Sequence, residues 1–362
     1  MLKVFLSLTL IVACCHAYHV DTDSKLIVDD LGRSRIFHGV NAVVKIPPFV
    51  PSTKSFTYDM SLNDQDIAYM KKWGMNVVRL GVMWVAVEPV KGQYNTTYLE
   101  SVRELTDTLG KNDISVIIDM HQDVFARKYC GEGFPTWVVD DIKASHQCSG
   151  IIGTVAHWLG ICKTFDDYHF ELDSQGDPLI KDCLKNMFSF YYPMTEVSSS
   201  FQAFYDSSDL QDRFAAYWKK LAETFVDAPN VLGYDFLNEP WVGDIWKDIT
   251  RLIPGKVDKE VLQPMYQRIN KVVRTVDEKK IVFFEPVQDD KVGILGGFIF
   301  PVGFTETPGS AEYDDRQMLN FHVYCCQKGA SACKGGEPSL KEAPACAKWN
   351  HGTVKQRTND AI

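Results

Sequence analysis

The stretch DFLNEPW (235–241) places an amide and a carboxyl group directly after an apolar run and just before a proline, which interrupts strand pairing. Here Glu239 is suited to general acid–base chemistry, and Asn238 is suited to hydrogen bonding with a polar substrate. Polar or titratable side chains end other apolar runs in the same way: Arg79, His121, Asp123, Glu285, His322 and Tyr324. If these side chains lie close together, they form an acid–base site surrounded by hydrogen-bonding groups.

Such a site forms only if the apolar runs are neighbouring strands. The runs cover residues 35–43, 76–84, 115–123, 231–239, 280–287 and 318–324. Their hydrophobicity is continuous rather than alternating, which is typical of strands buried on both faces of a parallel sheet. Stretches with helical spacing of apolar residues lie between them. This alternation predicts an α/β protein with a (β/α)8 TIM barrel, in which the active site lies at the carboxyl ends of the strands.

Residues 124–230, between the third and fourth runs, are far more than one crossover helix requires. They contain many aromatic residues and the cysteines Cys130, Cys148, Cys162 and Cys183. We interpret them as a disulfide-stapled insertion over the barrel mouth, followed by the third barrel helix around residues 212–225. No linker divides the chain, so residues 18–362 are predicted to form one catalytic domain.

The first 17 residues have the pattern of a secretory signal peptide, with Lys3, an apolar run and a small residue, Ala17, at the cleavage point. We therefore expect a secreted, extracellular protein, with a lysosomal or other lumenal location as the alternative. The sequon at Asn95 predicts a glycoprotein. No later segment is apolar over the length of a bilayer span, so no transmembrane segment is expected.

Eight cysteines follow the signal peptide, in two groups of four, and the second group is Cys325, Cys326, Cys333 and Cys346. An even number in a secreted chain predicts disulfides, most simply within each group, although the connectivity is open. The chain has no CxxC pair and no zinc-like histidine spacing, so neither a metal nor a cofactor is expected. Its net charge of -9, without a basic cluster, predicts no nucleic-acid partner.

Four motifs, each at the end of a predicted strand, carry a family resemblance. VVRLGVMW (77–84), DMHQD (119–123), FLNEP (236–240) and HVY (322–324), in this order, resemble glycoside hydrolase family 5. DMHQDVF, GFPTWV and FFEP are similar to the endoglycoceramidases of that family, which cut the bond between the glycan and the ceramide of glycosphingolipids. The resemblance implies a glycosphingolipid or oligosaccharide substrate and transient contact with membrane lipid.

The resemblance also implies roles for individual residues. Glu239 resembles the general acid/base, which must be protonated when it meets the glycosidic oxygen, and Asn238 resembles the donor to the sugar 2-hydroxyl. The residues that match positions around the cleaved bond are Arg79, His121, His322 and Tyr324. Further candidates for sugar contacts are Asp123 and Lys45. Arg79 is equally suited to a buried ion pair that holds a carboxylate, and the two roles are compatible.

A retaining glycosidase of this family also needs a nucleophilic carboxylate, which ends the seventh strand. Only six predicted strands precede the end of the sequence, so we expect an incomplete barrel from a longer enzyme, inactive as this chain. Glu285 is the best substitute, but the resemblance makes it a substrate-binding residue of the site and not the nucleophile. The alternatives are an endo-β-glucanase of the same family and a non-hydrolytic protein that binds glycans or glycolipids.

Overall fold

The computed structural model describes residues 18–288 and 302–322. The signal peptide, Tyr324 and the second group of cysteines lie outside the described residues, so the predictions made for them are not examined by the structure.

Six parallel strands form the main sheet and are hydrogen-bonded in chain order. An antiparallel pair, β1 (His19–Val20) and β2 (Ile27–Val28), precedes them. The sheet strands are β3 (Gly39–Ala42), β4 (Val77–Gly81), β5 (Ser115–Asp119), β6 (Val231–Asp235), β7 (Ile281–Phe284) and β8 (Gln317–Leu319). The six predicted strands and their parallel arrangement are confirmed. Each observed strand is shorter than its apolar run, because the run also covers part of the loop that adjoins the strand.

Helices lie between the strands. Those described are α1 (Asp64–Lys72), α2 (Trp84–Val87), α3 (Thr96–Lys111), α4 (Thr136–Asp141), α5 (Gly150–Trp158), α6 (Ile180–Cys183), α7 (Thr195–Asp206), α8 (Ser208–Phe225) and α9 (Gln263–Val273). Helix α1 begins at a capping box, in which the Asn63 side chain accepts from the backbone of Asp66 and the Asp66 carboxylate accepts from Asn63. Helix α3 buries the apolar side of its amphipathic pattern. No helix within residues 18–288 and 302–322 is both long and apolar enough to cross a bilayer.

The insertion after β5 contains α4 to α7 and is held by two disulfides, Cys130–Cys183 and Cys148–Cys162. The expectation that the first four cysteines pair with one another is confirmed. The base of the insertion packs on the barrel through aromatic rings: Phe125 and Phe134 stack with their centroids 4.1 Å apart, and Phe134 lies 5.8 Å from Trp84. Helix α8 returns the chain to the barrel and packs against α9, as predicted for the third barrel helix.

Candidate active site

Arg79, in β4, is the centre of a buried ion cluster at the carboxyl ends of the strands. Its Nε donates to Asp235 Oδ2 over 2.8 Å. Its Nη2 donates to Asp119 Oδ1 over 2.8 Å, to Glu285 Oε1 over 3.0 Å and to Asn238 Oδ1 over 3.1 Å. Burial alone would lower the pKa of Arg79, but the three carboxylates raise it well above its usual value. The guanidinium therefore stays charged and ties together the ends of β4, β5, β6 and β7.

The parallel register explains why these groups meet. Asp119 and Asp235 are register partners at the last positions of β5 and β6, and Arg79 is paired with Ile117 on the neighbouring strand. In a strand, side chains two residues apart point to the same face. Arg79, on one strand, is therefore directed to the same interior as the two aspartates. Burial is the largest cause that raises the pKa of Asp235, and the negative charges of Glu285 and Asp119 raise it further. Arg79 lowers it, and the resulting pKa is about 7.

The loop after β6 holds Glu239 in an unusual backbone conformation. Glu239 has a φ of 43°, in the left-handed region that side-chain-bearing residues rarely adopt. Its N–H donates to Glu285 Oε2 over 2.9 Å, and its carbonyl accepts from Gln122 Nε2 over 3.0 Å. The same Gln122 amide group donates to the carbonyl of Asn238 over 2.8 Å. These bonds offset a backbone strain of roughly 1–2 kcal/mol and fix the direction of the Glu239 side chain.

His322 joins the two glutamates. Its Nδ1 lies 2.7 Å from Glu239 Oε1, and its Nε2 lies 3.3 Å from Glu285 Oε1. Burial by itself would lower the pKa of His322, but the carboxylates of Glu285 and Glu239 raise it to about 11. The imidazolium is therefore able to donate to both carboxylates, and it fixes one oxygen of Glu239, which is only 2% exposed.

Both carboxyl oxygens of Glu285 are engaged by protein groups. Oε1 accepts from Arg79 and from Asn320 Nδ2, each over 3.0 Å, and lies close to His322. Oε2 accepts the backbone N–H of Glu239. Burial would raise the pKa of Glu285, but His322 and Arg79 lower it below its usual value. An ionised carboxylate with this many donors positions its neighbours and is poorly suited to attack a sugar.

For the glycoside hydrolysis that the family resemblance implies, we expect Glu285→Gln in the natural protein in its complete form to lower kcat about 100-fold through displacement of Glu239 and His322. The Glu285 carboxylate is the strongest of the groups that raise the pKa of His322 to about 11. Replacement of the Glu285 carboxylate by an amide therefore lowers the pKa of His322. The alkaline limb of the pH–rate profile is expected to move to lower pH. The measurement is kcat across the acid and alkaline range. Glu306→Gln, which removes an exposed carboxylate near Gln267, is the control. An unchanged alkaline limb in Glu285→Gln contradicts this positioning role.

A second group of charges lies beside the first and is joined to it by Asp119. Asp119 Oδ2 lies 2.8 Å from Nδ1 of His121, whose Nε2 lies 3.4 Å from Asp123 Oδ2. Burial would lower the pKa of His121, but the neighbouring aspartates raise it to about 9. The Lys45 ammonium contacts Asp123 and lies 3.0 Å from Glu132 Oε1. The Lys45 side chain is about half-exposed.

Three side chains of this second group, His121, Asp123 and Glu132, bring metal-ligand atoms within 4.8 Å of one another. The set is nevertheless unsuited to a metal ion, because the Lys45 ammonium already lies against both carboxylates. A pKa of about 9 also keeps His121 protonated at neutral pH, and a protonated imidazole is not a ligand. Burial and Asp123 together raise the pKa of Glu132 to about 7, although Lys45 lowers it.

The structure brings together the predicted site residues that it describes: Lys45, Arg79, His121, Asp123, Asn238, Glu239, Glu285 and His322. Their contacts with a sugar stay predictions, including the one expected of Glu285, and Tyr324 lies outside the described residues. The residues that sequence reasoning missed are Asp119, Gln122, Glu132, Asp235 and Asn320. Asp119 and Asp235 could have been found, because a charged residue that ends a largely apolar, buried strand needs a buried partner.

Comparison with known proteins gives a consistent result. The model of the family described as "Cellulase (glycosyl hydrolase family 5)" matches residues 46–172 and 189–361. An endoglycoceramidase of Hydra vulgaris is 38% identical over 307 residues, which are 84% of this chain and 55% of that protein. An endoglycoceramidase of Cyanea nozakii is 37% identical over 306 residues, 84% of this chain and 56% of that protein. The chain thus spans about half the length of these curated relatives.

A solved structure of endo-glycoceramidase II from Rhodococcus sp., in complex with a five-membered iminocyclitol, is similar in fold. The TM-score is 0.59 at 22% sequence identity, over 90% of this chain and 63% of that chain. At this identity the likeness concerns the fold alone. Together with the six parallel strands in chain order, it confirms the predicted TIM-barrel architecture.

Proposed function

Because the chain belongs to glycosyl hydrolase family 5, we propose that the protein is a retaining glycoside hydrolase that cleaves the bond between the glycan and the ceramide of glycosphingolipids. The observation that carries the proposal is the position of Glu239, whose carboxyl group is fixed by His322 at the carboxyl ends of the barrel strands. The endoglycoceramidases of Hydra vulgaris and Cyanea nozakii, 38% and 37% identical to this chain, support the choice of substrate.

In this proposal Glu239 acts twice. As the bond to ceramide breaks, its carboxyl group gives a proton to the leaving oxygen; later, as a carboxylate, it takes a proton from the water that releases the glycan. Asn238 lies next to it, with its side-chain oxygen held by Arg79 and its amide nitrogen donating to the carbonyl of Gln122 over 3.0 Å. The remaining N–H of the amide is suited to the sugar 2-hydroxyl, a contact that strengthens in the transition state. The nucleophile is a carboxylate other than Glu285, whose oxygens are already engaged.

A lumenal or extracellular location is part of the proposal. Two disulfides support it, because such bonds persist in oxidising compartments. The signal-peptide pattern of residues 1–17 supports it as well. Asn95 is exposed, as a glycosylated residue must be, and its side-chain oxygen caps helix α3 by accepting from the N–H of Tyr98.

A comparison of two substrates tests the proposed activity. The natural protein in its complete form is expected to release intact oligosaccharide and ceramide from a ganglioside, with kcat/KM at least about 100-fold higher than on a soluble β-glucan. Release is measured by chromatography of the glycan and of the lipid. Turnover of the glucan alone indicates an endo-β-glucanase instead. Binding of either ligand without turnover indicates a non-hydrolytic binding protein.

A further inference from the structure

Helix α5, within the insertion, exposes a continuous apolar stripe. Ile151, Val155 and Trp158 are 86%, 52% and 84% exposed, and their spacing of four and three residues places them on one helix face. Ile152, Leu159 and Ile161 beside them are also about half-exposed or more. Contiguous apolar surface of this kind marks an interaction site on a water-soluble protein.

The segment that bears the stripe is uncharged and closed on itself. Residues 148–162 read CSGIIGTVAHWLGIC and include no Asp, Glu, Lys or Arg, although the protein has a net charge of -9. The Cys148–Cys162 disulfide joins the two ends of the segment. The Thr195 hydroxyl lies 3.4 and 3.3 Å from the two sulfur atoms and anchors this closed loop to α7. The stripe is therefore presented on a constrained element.

The stripe lies at the same end of the barrel as Glu239. The insertion leaves the barrel at the carboxyl end of β5, and Gly150, at the start of α5, lies next to the backbone of Trp246 in the loop that follows Glu239. A second group of exposed apolar side chains, Met187, Phe188 and Phe190, belongs to the same insertion. The Phe188 ring is 5.7 Å from the Lys45 ammonium, so this group reaches the rim of the site.

We infer that α5 docks the protein on a lipid bilayer, with Ile151, Val155 and Trp158 inserted between the headgroups, so that the site at the strand ends receives glycolipid directly from the membrane. This inference rests on the proposed function, because the two apolar chains of a glycosphingolipid keep it in a bilayer. An apolar helix face with a tryptophan is typical of segments that lie in the membrane interface.

A lipid surface fits these observations better than a partner protein. A stable protein interface buries about 800 Å² on each partner and has a charged or polar rim. The nine residues of α5 form a small surface, and its loop has no charge. Binding is therefore expected to be reversible and to depend on apolar insertion rather than on anionic lipid.

The test uses vesicles of phosphatidylcholine without glycolipid and the natural protein in its complete form. The stripe variant is Ile151→Ser/Val155→Ser/Trp158→Ser. The matched control is Leu31→Ser/Ile36→Ser/Trp73→Ser, in which the native side chains are 75%, 85% and 61% exposed but lie near the amino ends of β3 and β4. The stripe variant is expected to lose about tenfold or more of its vesicle partition in sedimentation, whereas the control keeps it.

Tryptophan fluorescence gives an independent readout. The fluorescence emission of Trp158 is expected to shift to shorter wavelength when vesicles are added. The Trp158→Phe variant is expected to bind vesicles but to lose most of this shift. High salt is expected to leave the partition of the wild-type protein unchanged. Absence of wild-type binding, or equal losses in the stripe and control variants, overturns the inference. The inference is also overturned if the wild-type protein is a dimer that does not bind vesicles and the stripe variant is a monomer. That result would assign the stripe to an interface between two copies.

The proposed activity is measured separately with a short-acyl glycolipid dissolved as monomers. Cleavage of this substrate with no vesicle binding by the wild-type protein leaves the proposed function standing and ends the docking inference. Vesicle binding through the stripe without cleavage of any glycolipid supports the docking inference and contradicts the proposed function. The stripe variant is expected to cleave the dissolved substrate at the wild-type rate and vesicle-borne ganglioside about tenfold more slowly.

Discussion

Glu239→Gln is expected to lower kcat/KM on a glycosphingolipid by roughly three orders of magnitude. The amide of glutamine keeps the shape of the side chain and can still accept a hydrogen bond from His322, whose Nδ1 lies 2.7 Å from the native carboxyl oxygen. It cannot give a proton to the ceramide oxygen or take one from water. The loss is therefore catalytic, and we expect the free energy of unfolding to change little.

The leaving group distinguishes this role from a structural one. An aryl glycoside with an acidic phenol needs little protonation when its bond breaks, so its first step is expected to suffer much less in Glu239→Gln than cleavage of a glycolipid. Added azide should then restore turnover, because it attacks the glycosyl-enzyme without the help of a base. Glu312→Gln, which removes an exposed carboxylate, serves as the control. Equal losses on both substrates, without rescue by azide, contradict the assignment of Glu239.

Continuous hydrophobicity was sufficient to predict the order of the strands and the end of the sheet at which the site lies. Parallel strands end at one edge, so Arg79, His121, Asn238 and Glu239 had to approach one another once their runs were recognised as neighbouring strands. The strand boundaries were harder to predict from the sequence, because a strand and the loop that continues it are both buried and apolar. This is why 231–239 was one run in the sequence but a strand at Val231–Asp235 and a buried loop in the structure.

Partnerships between charges could not be derived from the sequence. Glu285 appears there as a carboxylate at a strand end, and only coordinates show that Arg79, Asn320 and the backbone of Glu239 occupy its oxygens. The cysteine pairing was open for a similar reason. Four cysteines allow three pairings, and the choice of Cys130 with Cys183 depends on how the insertion folds back on itself.

Arg79 has a structural role and a catalytic consequence that follow from the same contacts. It lies against Asp119, Asp235 and Glu285, and these carboxylates in turn position His121, Asn320 and His322. Of the two roles that the sequence left open for Arg79, the buried ion pair is present in the structure and holds the groups that surround Glu239; its position next to a cleaved bond stays a prediction. A positive charge at this position is therefore expected to affect both stability and the proposed turnover.

Arg79→Met is expected to lower the free energy of unfolding by about 3–5 kcal/mol, because it leaves buried carboxylates without their cation. Arg79→Lys restores one positive charge but cannot reach four acceptors at once, so its loss should be intermediate. Arg268→Met is the matched control: Arg268 pairs with Asp212 at the surface, and removal of such a pair costs about 0–1 kcal/mol. Urea unfolding monitored by tryptophan fluorescence measures all three variants.

The pH dependence of this deficit identifies its cause. The pKa of Asp235 is raised from an ordinary value of 3.8 to about 7 even with Arg79 present, and removal of the guanidinium raises it further. A group whose pKa is higher in the folded than in the unfolded state contributes stability below the unfolded value and loses it as the pH rises. The Asp235 carboxyl is protonated in the folded state below about pH 7 with or without Arg79, so the deficit of Arg79→Met should be smaller there and should grow as the pH rises above about 7 toward the higher pKa of the variant. A deficit that does not grow above about pH 7 would assign the loss to side-chain packing and not to unpaired buried charge.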